Sequence, residues 1–153
     1  MTVKEAVELA KKGRVYAQRT KYREAMAYYN KALSIDPKFA EGWFFRASVL
    51  IDTGKPEEAL VDCERALALN PNYADAWSKK ALAFFNLERF EDGVLAATRA
   101  STLNGNDAMA WYIKGVCLDE LGKSDEAQVA YGKSLELEII LDMDAERKKV
   151  RKR

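Results

Sequence analysis

The chain has 153 residues, 48% hydrophobic and 32% charged, enough apolar material for a substantial core beneath charged helix faces. It contains no histidine, so the commonest general base near neutral pH and the commonest metal ligand are both missing. Net charge is only +1, no apolar run nears the roughly 20 residues that cross a bilayer, and the N-terminus lacks a secretory apolar core, so a cytoplasmic chain with no membrane contact is expected.

In chain order, the first signal is Thr2-x-x-Glu5, a capping box that starts a helix almost at once. With Ala6 as position 1, four registers of 34 residues follow without insertion, at 6–39, 40–73, 74–107 and 108–141, leaving a C-terminal extension and tail at 142–153. A fixed period of this length means stacked copies of one unit, none able to bury its apolar face alone. Position 4 reads Leu9, Trp43, Trp77, Trp111, and each tryptophan is followed three residues on by a basic side chain. Position 8 reads Gly13, Ala47, Ala81, Gly115, and position 24 reads Tyr29, Cys63, Ala97, Tyr131. Small residues at such points let helices approach closely while bulky ones fill the space beside them. The turn signals Thr53-Gly54-Lys55-Pro56 and Leu121-Gly122-Lys123-Ser124 divide units into halves, and Asp36-Pro37 and Asn70-Pro71 end two of them. Each unit therefore reads helix, tight turn, helix, turn, which makes the fold all-α with eight helices.

The fourth register departs from the others. Position 32, Pro37, Pro71 and Gly105 earlier, is Ile139, so nothing stops the last helix, which should run from Ser124 or Asp125 into the tail. Position 21, Met26, Leu60 and Val94 earlier, becomes Gln128. Along this helix Leu135, Leu137, Ile139, Ile140, Leu141 and Met143 spread around most of the circumference, and a helix apolar all round is normally covered. The expectation is that 137–143, with Leu137, Ile139, Ile140, Leu141 and Met143 as contacts, packs on a second copy of the chain, helix to helix or into its groove. The alternative is folding back on the chain's own second helices.

The pattern Trp, Gly/Ala, Tyr/Leu/Phe, Ala, Tyr, Ala, Pro over 34 residues resembles the tetratricopeptide repeat, across residues 6–141. The phrase Ala110-Trp111-Tyr112-Ile113-Lys114-Gly115-Val116 is also similar to repeats of archaeal and bacterial members. The resemblance implies a right-handed superhelical solenoid of antiparallel helix pairs. Its first helices would line a concave groove that takes a peptide or helix of a partner protein. Carried over by position, that groove holds Phe44, Ser48, Ser78, Lys79, Leu82, Phe85, Met109, Tyr112 and Val116, with Phe45, Lys79 and Ile113 toward its edge. Mutual packing of neighbouring first helices is the structural alternative for these aromatics. The family's clamp for chaperone C-terminal carboxylates needs basic and asparagine residues where this chain has Ala10, Arg14, Phe45, Asp75 and Lys79; only Lys79 fits, so that ligand is not expected.

Remaining features favour structure over chemistry. Glycine-rich phosphate loops, serine elbows and metal-ligand spacings are absent, so no catalytic residue, cofactor or metal is assigned. Cys63 and Cys117 fall at inward positions and read as buried thiols. Residues 1–31 carry eight basic and three acidic groups, the acidic middle carries eleven and twenty, and 146–153 carry six and one. A nucleic-acid role for the basic ends is the weakest reading, because the acidic middle opposes it and a solvated helix end explains the tail equally well. The sequence thus describes a protein-interaction scaffold, with self-association as its alternative.

Overall fold

A computed structural model of the chain describes residues 2–151, with side chains as far as Lys149. It forms eight helices: α1 (Val3–Gln18), α2 (Tyr22–Ile35), α3 (Ala40–Asp52), α4 (Pro56–Leu69), α5 (Ala74–Asn86), α6 (Phe90–Leu103), α7 (Ala108–Glu120) and α8 (Ser124–Arg151). Helices pack as the pairs α1–α2, α3–α4, α5–α6 and α7–α8, and each second helix packs on the next pair's first. Thr2 caps α1 as the sequence indicates, its hydroxyl accepting from the Glu5 amide at 3.3 Å while the Glu5 carboxylate accepts from the Thr2 amide at 2.7 Å.

Two turns recur and fix the geometry. Inside each pair, position 15 lies in the left-handed region: Thr20 and Glu88 at φ 57°, Gly54 and Gly122 at φ 75°. Glycine adopts this freely, whereas a β-branched threonine there is strained. Between pairs, the side chains of Asp36, Asn70 and Asn104 accept from the amide two residues on at 3.1, 3.2 and 3.1 Å, closing three equivalent Asx turns. The tryptophans tie these turns down. Trp43, Trp77 and Trp111 donate from Nε1 to the carbonyls of Pro37, Pro71 and Gly105 at 2.9, 2.8 and 3.2 Å. The basic residue three places on then lies over the indole, Arg46, Lys80 and Lys114 at 4.8, 5.1 and 5.4 Å from the ring centroid. That explains the tryptophan-basic spacing in the sequence as a cation–π contact.

The core consists of alanines and a few large side chains. Ala25, Ala59 and Ala127 are fully buried, and Gly93 takes the same place where the Cys117 sulfur would stand 2.7 Å from an added Cβ. Positions 8 and 24 are matched in size. Gly13 lies under the Tyr29 ring and Gly115 under the Tyr131 ring, each 2.6 Å from where a Cβ would be, whereas alanines at 47 and 81 accompany Cys63 and Ala97. Among the described residues one ion pair is largely buried: the Arg46 guanidinium donates to both Asp62 oxygens at 2.7 and 2.9 Å and to the Asn30 side-chain oxygen at 2.9 Å. Both cysteines are free and fully buried. Burial pushes the Cys63 thiol up to about 12 and the Cys117 thiol up to about 11.

Candidate peptide-binding groove

Curvature follows from which helices meet. The first helices approach one another in sequence, α1 with α3, α3 with α5 and α5 with α7, whereas among the described residues the backbones of successive second helices stay farther apart. The row of first helices is therefore the inner side of the arc, and side chains on its free face share one elongated surface.

On that surface Met109 and Tyr112 of α7 stand out at 57% and 51% exposure. Lys79, Leu82, Phe85, Phe44, Ser48 and Val116 are half-buried. The aromatics support one another: Phe44 tilts against Tyr73 at 5.2 Å between centroids, Phe85 against Phe90 at 6.0 Å, and Tyr112 against Tyr131 at 5.8 Å. Phe44 also packs beside Ala66, Leu67 and Ala76, so much of it serves the junction between the second and third pairs. The Ser48 hydroxyl donates to the Phe44 carbonyl at 3.1 Å.

Three positions differ from the sequence expectation. Ser78 is buried, at 9% exposure, in the row of first helices where α5 touches both α3 and α7. Ile113, expected at the groove edge, is 2% exposed and joins the core of Phe84, Ala96 and Cys117, since α6 covers α7 there. Leu137 is 6% exposed, on the side of α8 that carries Ala127, Ala130 and Ser134 against α7, with the Ser134 hydroxyl donating to the Ala108 carbonyl at 2.9 Å. Helix α8 is thus not apolar all round in the same sense: Ile139, Ile140, Leu141 and Met143 stay 46–57% exposed.

Glu41 and Asp75 are exposed at the starts of α3 and α5, and with Tyr73, Asn70 and Asn104 they line a cleft of about 590 Å³. Burial first, then the Glu41 and Asp75 carboxylates, push the Tyr73 phenol above its ordinary value. Toward α1, the Arg14 guanidinium lies over the Phe45 ring at 4.8 Å. Of the basic tail, Lys152 and Arg153 lie outside the described residues.

Among the described residues no helix is long and apolar enough to cross a membrane. The chain belongs to the tetratricopeptide repeat family, whose models match residues 6–39, 40–73 and 78–137. Similar solved structures are tetratricopeptide solenoids. The crystal structure of MamA is 24% identical over 90% of this chain and 81% of that one, with a TM-score of 0.80, a likeness of fold. The first such domain of Spaghetti (RPAP3), bound to the HSP90 peptide SRMEEVD, is 30% identical over 80% of this chain and 97% of that one, with a TM-score of 0.77. The Sgt2 domain from Aspergillus fumigatus is 25% identical over 79% and 82%, with a TM-score of 0.74. No match is found among curated proteins. The fold is a protein-interaction scaffold.

Proposed function

We propose that the inner face binds an amphipathic segment of a partner protein, apolar on the side that meets Leu82, Phe85, Met109, Tyr112 and Val116, and basic where it meets Glu41 and Asp75. The observation that carries this is the exposure of Met109 and Tyr112 on the same inner row as half-buried aromatics. Tyrosine is a favoured contact residue because it gives apolar area and a hydroxyl at little entropic cost. Lys79 supplies one orienting positive charge for a carboxylate on the segment.

The RPAP3 domain's peptide carries two glutamates and an aspartate. In this chain Asp75 occupies a clamp position and Glu41 lies beside it, so an acidic tail meets like charge there. Titration of SRMEEVD into the chain is therefore expected to show no binding at about 100 µM, where a Kd near 1 mM or weaker would be invisible.

The positive test is capture of partners from a lysate by the native chain and by a Met109→Glu, Tyr112→Ala variant whose melting is unchanged. Each contact residue of this kind contributes about 2 kcal/mol when it anchors an interface, so the variant should lose a specific protein that the native chain retains. Recovery of the same set by both would remove the groove reading.

A further inference from the structure

Helix α8 has two faces. Ala127, Ala130, Ser134 and Leu137 are buried against the body, and about half a turn around the helix lie Val129, Leu135, Ile139 and Met143, at 72, 58, 51 and 52% exposure. This second stripe includes the place where α2, α4 and α6 receive the helix that follows them. Leu33, Leu67 and Ser101, which correspond in register to Leu135, are buried there at 5, 7 and 8%. Gly132 stands in the middle of the stripe. Each of the other four helical glycines is a seat for a neighbouring side chain, with Tyr29, Leu33, Cys117 or Tyr131 within 2.9 Å of the missing Cβ at Gly13, Gly42, Gly93 and Gly115. At Gly132 nothing comes within 4 Å. One charged residue, Glu136, shares the stripe and turns its carboxylate to Lys133 at 3.7 Å. A mid-helix glycine is unfavourable for the helix itself, so an empty seat among these exposed apolar side chains marks a missing neighbour.

The geometry points to a second copy of this chain as that neighbour: two α8 helices pair antiparallel through the stripe about a two-fold axis, each copy's extension beyond Leu137 covering the bare face of the other's first half. Full overlap of the two 28-residue helices sets Met143 of each copy opposite Gly132 of the other and Leu135 opposite Ile140. Charge selects the same orientation. Helix α8 begins with Asp125 and Glu126 and ends in Arg147, Lys148 and Lys149, so antiparallel pairing brings Glu126 of one copy beside Lys149 of the other. Parallel pairing would set basic end against basic end and acidic start against acidic start. A two-fold contact of this kind closes on itself as a dimer. It uses α8 alone and leaves the groove free, so it stands independently of the peptide-binding reading.

The test is sedimentation of the full chain over a range of concentrations, together with cross-linking of Gly132→Cys and Met143→Cys single variants. The native cysteines are fully buried and do not compete. Mild oxidation of the two variants mixed should give a disulfide-linked pair that neither variant gives alone. Gly132→Arg, whose Cβ meets no atom of its own chain within 4 Å, should raise the dimer Kd at least about tenfold, the effect of overfilling a packed contact. A chain that sediments as a monomer throughout, or Gly132→Cys linking to itself as readily as to Met143→Cys, would overturn the proposal. Dimerisation should survive the Met109→Glu, Tyr112→Ala change; its loss there would move the contact to the groove and overturn the α8 pairing as well.

Discussion

The first and last helices present opposite surfaces although both derive from one repeat. In α3, α5 and α7 the faces turned to the preceding pair are small and buried, Gly42, Ala76 and Ala110 at one level and Val49, Ala83 and Cys117 at another. In α1 those levels hold Glu8 and Val15, and Glu8 pairs with Lys11 at 2.8 Å in full contact with solvent. In α8 the corresponding outer face keeps Leu135 and continues in Ile139 and Met143. The α1 face leaves one large apolar side chain, Val15, at 46% exposure, whereas the α8 stripe leaves Leu135, Ile139 and Met143 and gains more free energy from cover. Two or three substitutions within the repeat thus decide whether a surface is finished or adhesive.

Alkaline titration should break the comparison most severely, because the buried thiols and phenols lie in the body and none lies in the α8 extension. Burial pushes Cys63 up to about 12 from 9.0 and Tyr29 up to about 12 from 10.0, while residues 138–149 contain no thiol or phenol. Since the folded values are raised, the unfolded chain releases these protons first. Stability from these groups is complete below about pH 9 and is lost as pH rises toward 12. Circular dichroism across that range should show cooperative loss of helix; equal stability at pH 8 and about 11.5 would mean the groups are not sealed.

Next in size is the buried ion pair. Arg46→Ala leaves the Asp62 carboxylate, 3% exposed, without its partner. Breaking a buried pair from one side costs about 3–5 kcal/mol, and because the Arg46 side chain is 22% exposed the lower end is expected. Lys80 makes only a 3.9 Å contact with the exposed Glu64, so Lys80→Ala should cost about 1 kcal/mol, most of it from uncovering Trp77. Urea denaturation of both variants gives the ratio directly. Gly115→Ala lies between them: the added Cβ would stand 2.6 Å from the Tyr131 ring, and overfilling of this sort costs about 1–3 kcal/mol.

Most of the fold was legible because a repeat states each rule several times. The tryptophan period, the size matching of positions 8 and 24 and the loss of the Asx-Pro stop before Ile139 placed the helices and the long α8. Other features were hidden because their residue types do not announce them. Thr20 and Glu88 adopt the same left-handed turn as Gly54 and Gly122 without glycine, so the tight turns of the first and third pairs carried no sequence signal. The Arg46–Asp62 pair joins residues 16 apart on different helices, and one-dimensional spacing distinguishes it poorly from a solvated charge. The candidate groove was half legible. Register assigned Met109 and Tyr112 to the inner row, but burial of Ser78 and Ile113 depends on how closely the neighbouring helices pack on α5 and α7. For α8, composition showed an excess of apolar side chains, and only the packed structure separated Leu137 inside from Leu135 and Ile139 outside.

The smallest predicted effect discriminates best between the two surfaces of α8. With no atom within 4 Å of its missing Cβ, Gly132→Ala meets no obstacle in the isolated chain, and removing a mid-helix glycine should stabilise it by about 0.5–1 kcal/mol. In an antiparallel pair the same methyl enters the seat that faces Met143, and the dimer weakens. Thermal melting of the variant and the native chain should therefore show a gain for the variant in dilute solution that shrinks or changes sign as concentration rises. Gly115→Ala, whose neighbour lies within the chain, should lose the same amount at every concentration. A concentration-independent gain at Gly132 would leave that face of α8 in solvent and make its glycine an unfilled position of the repeat.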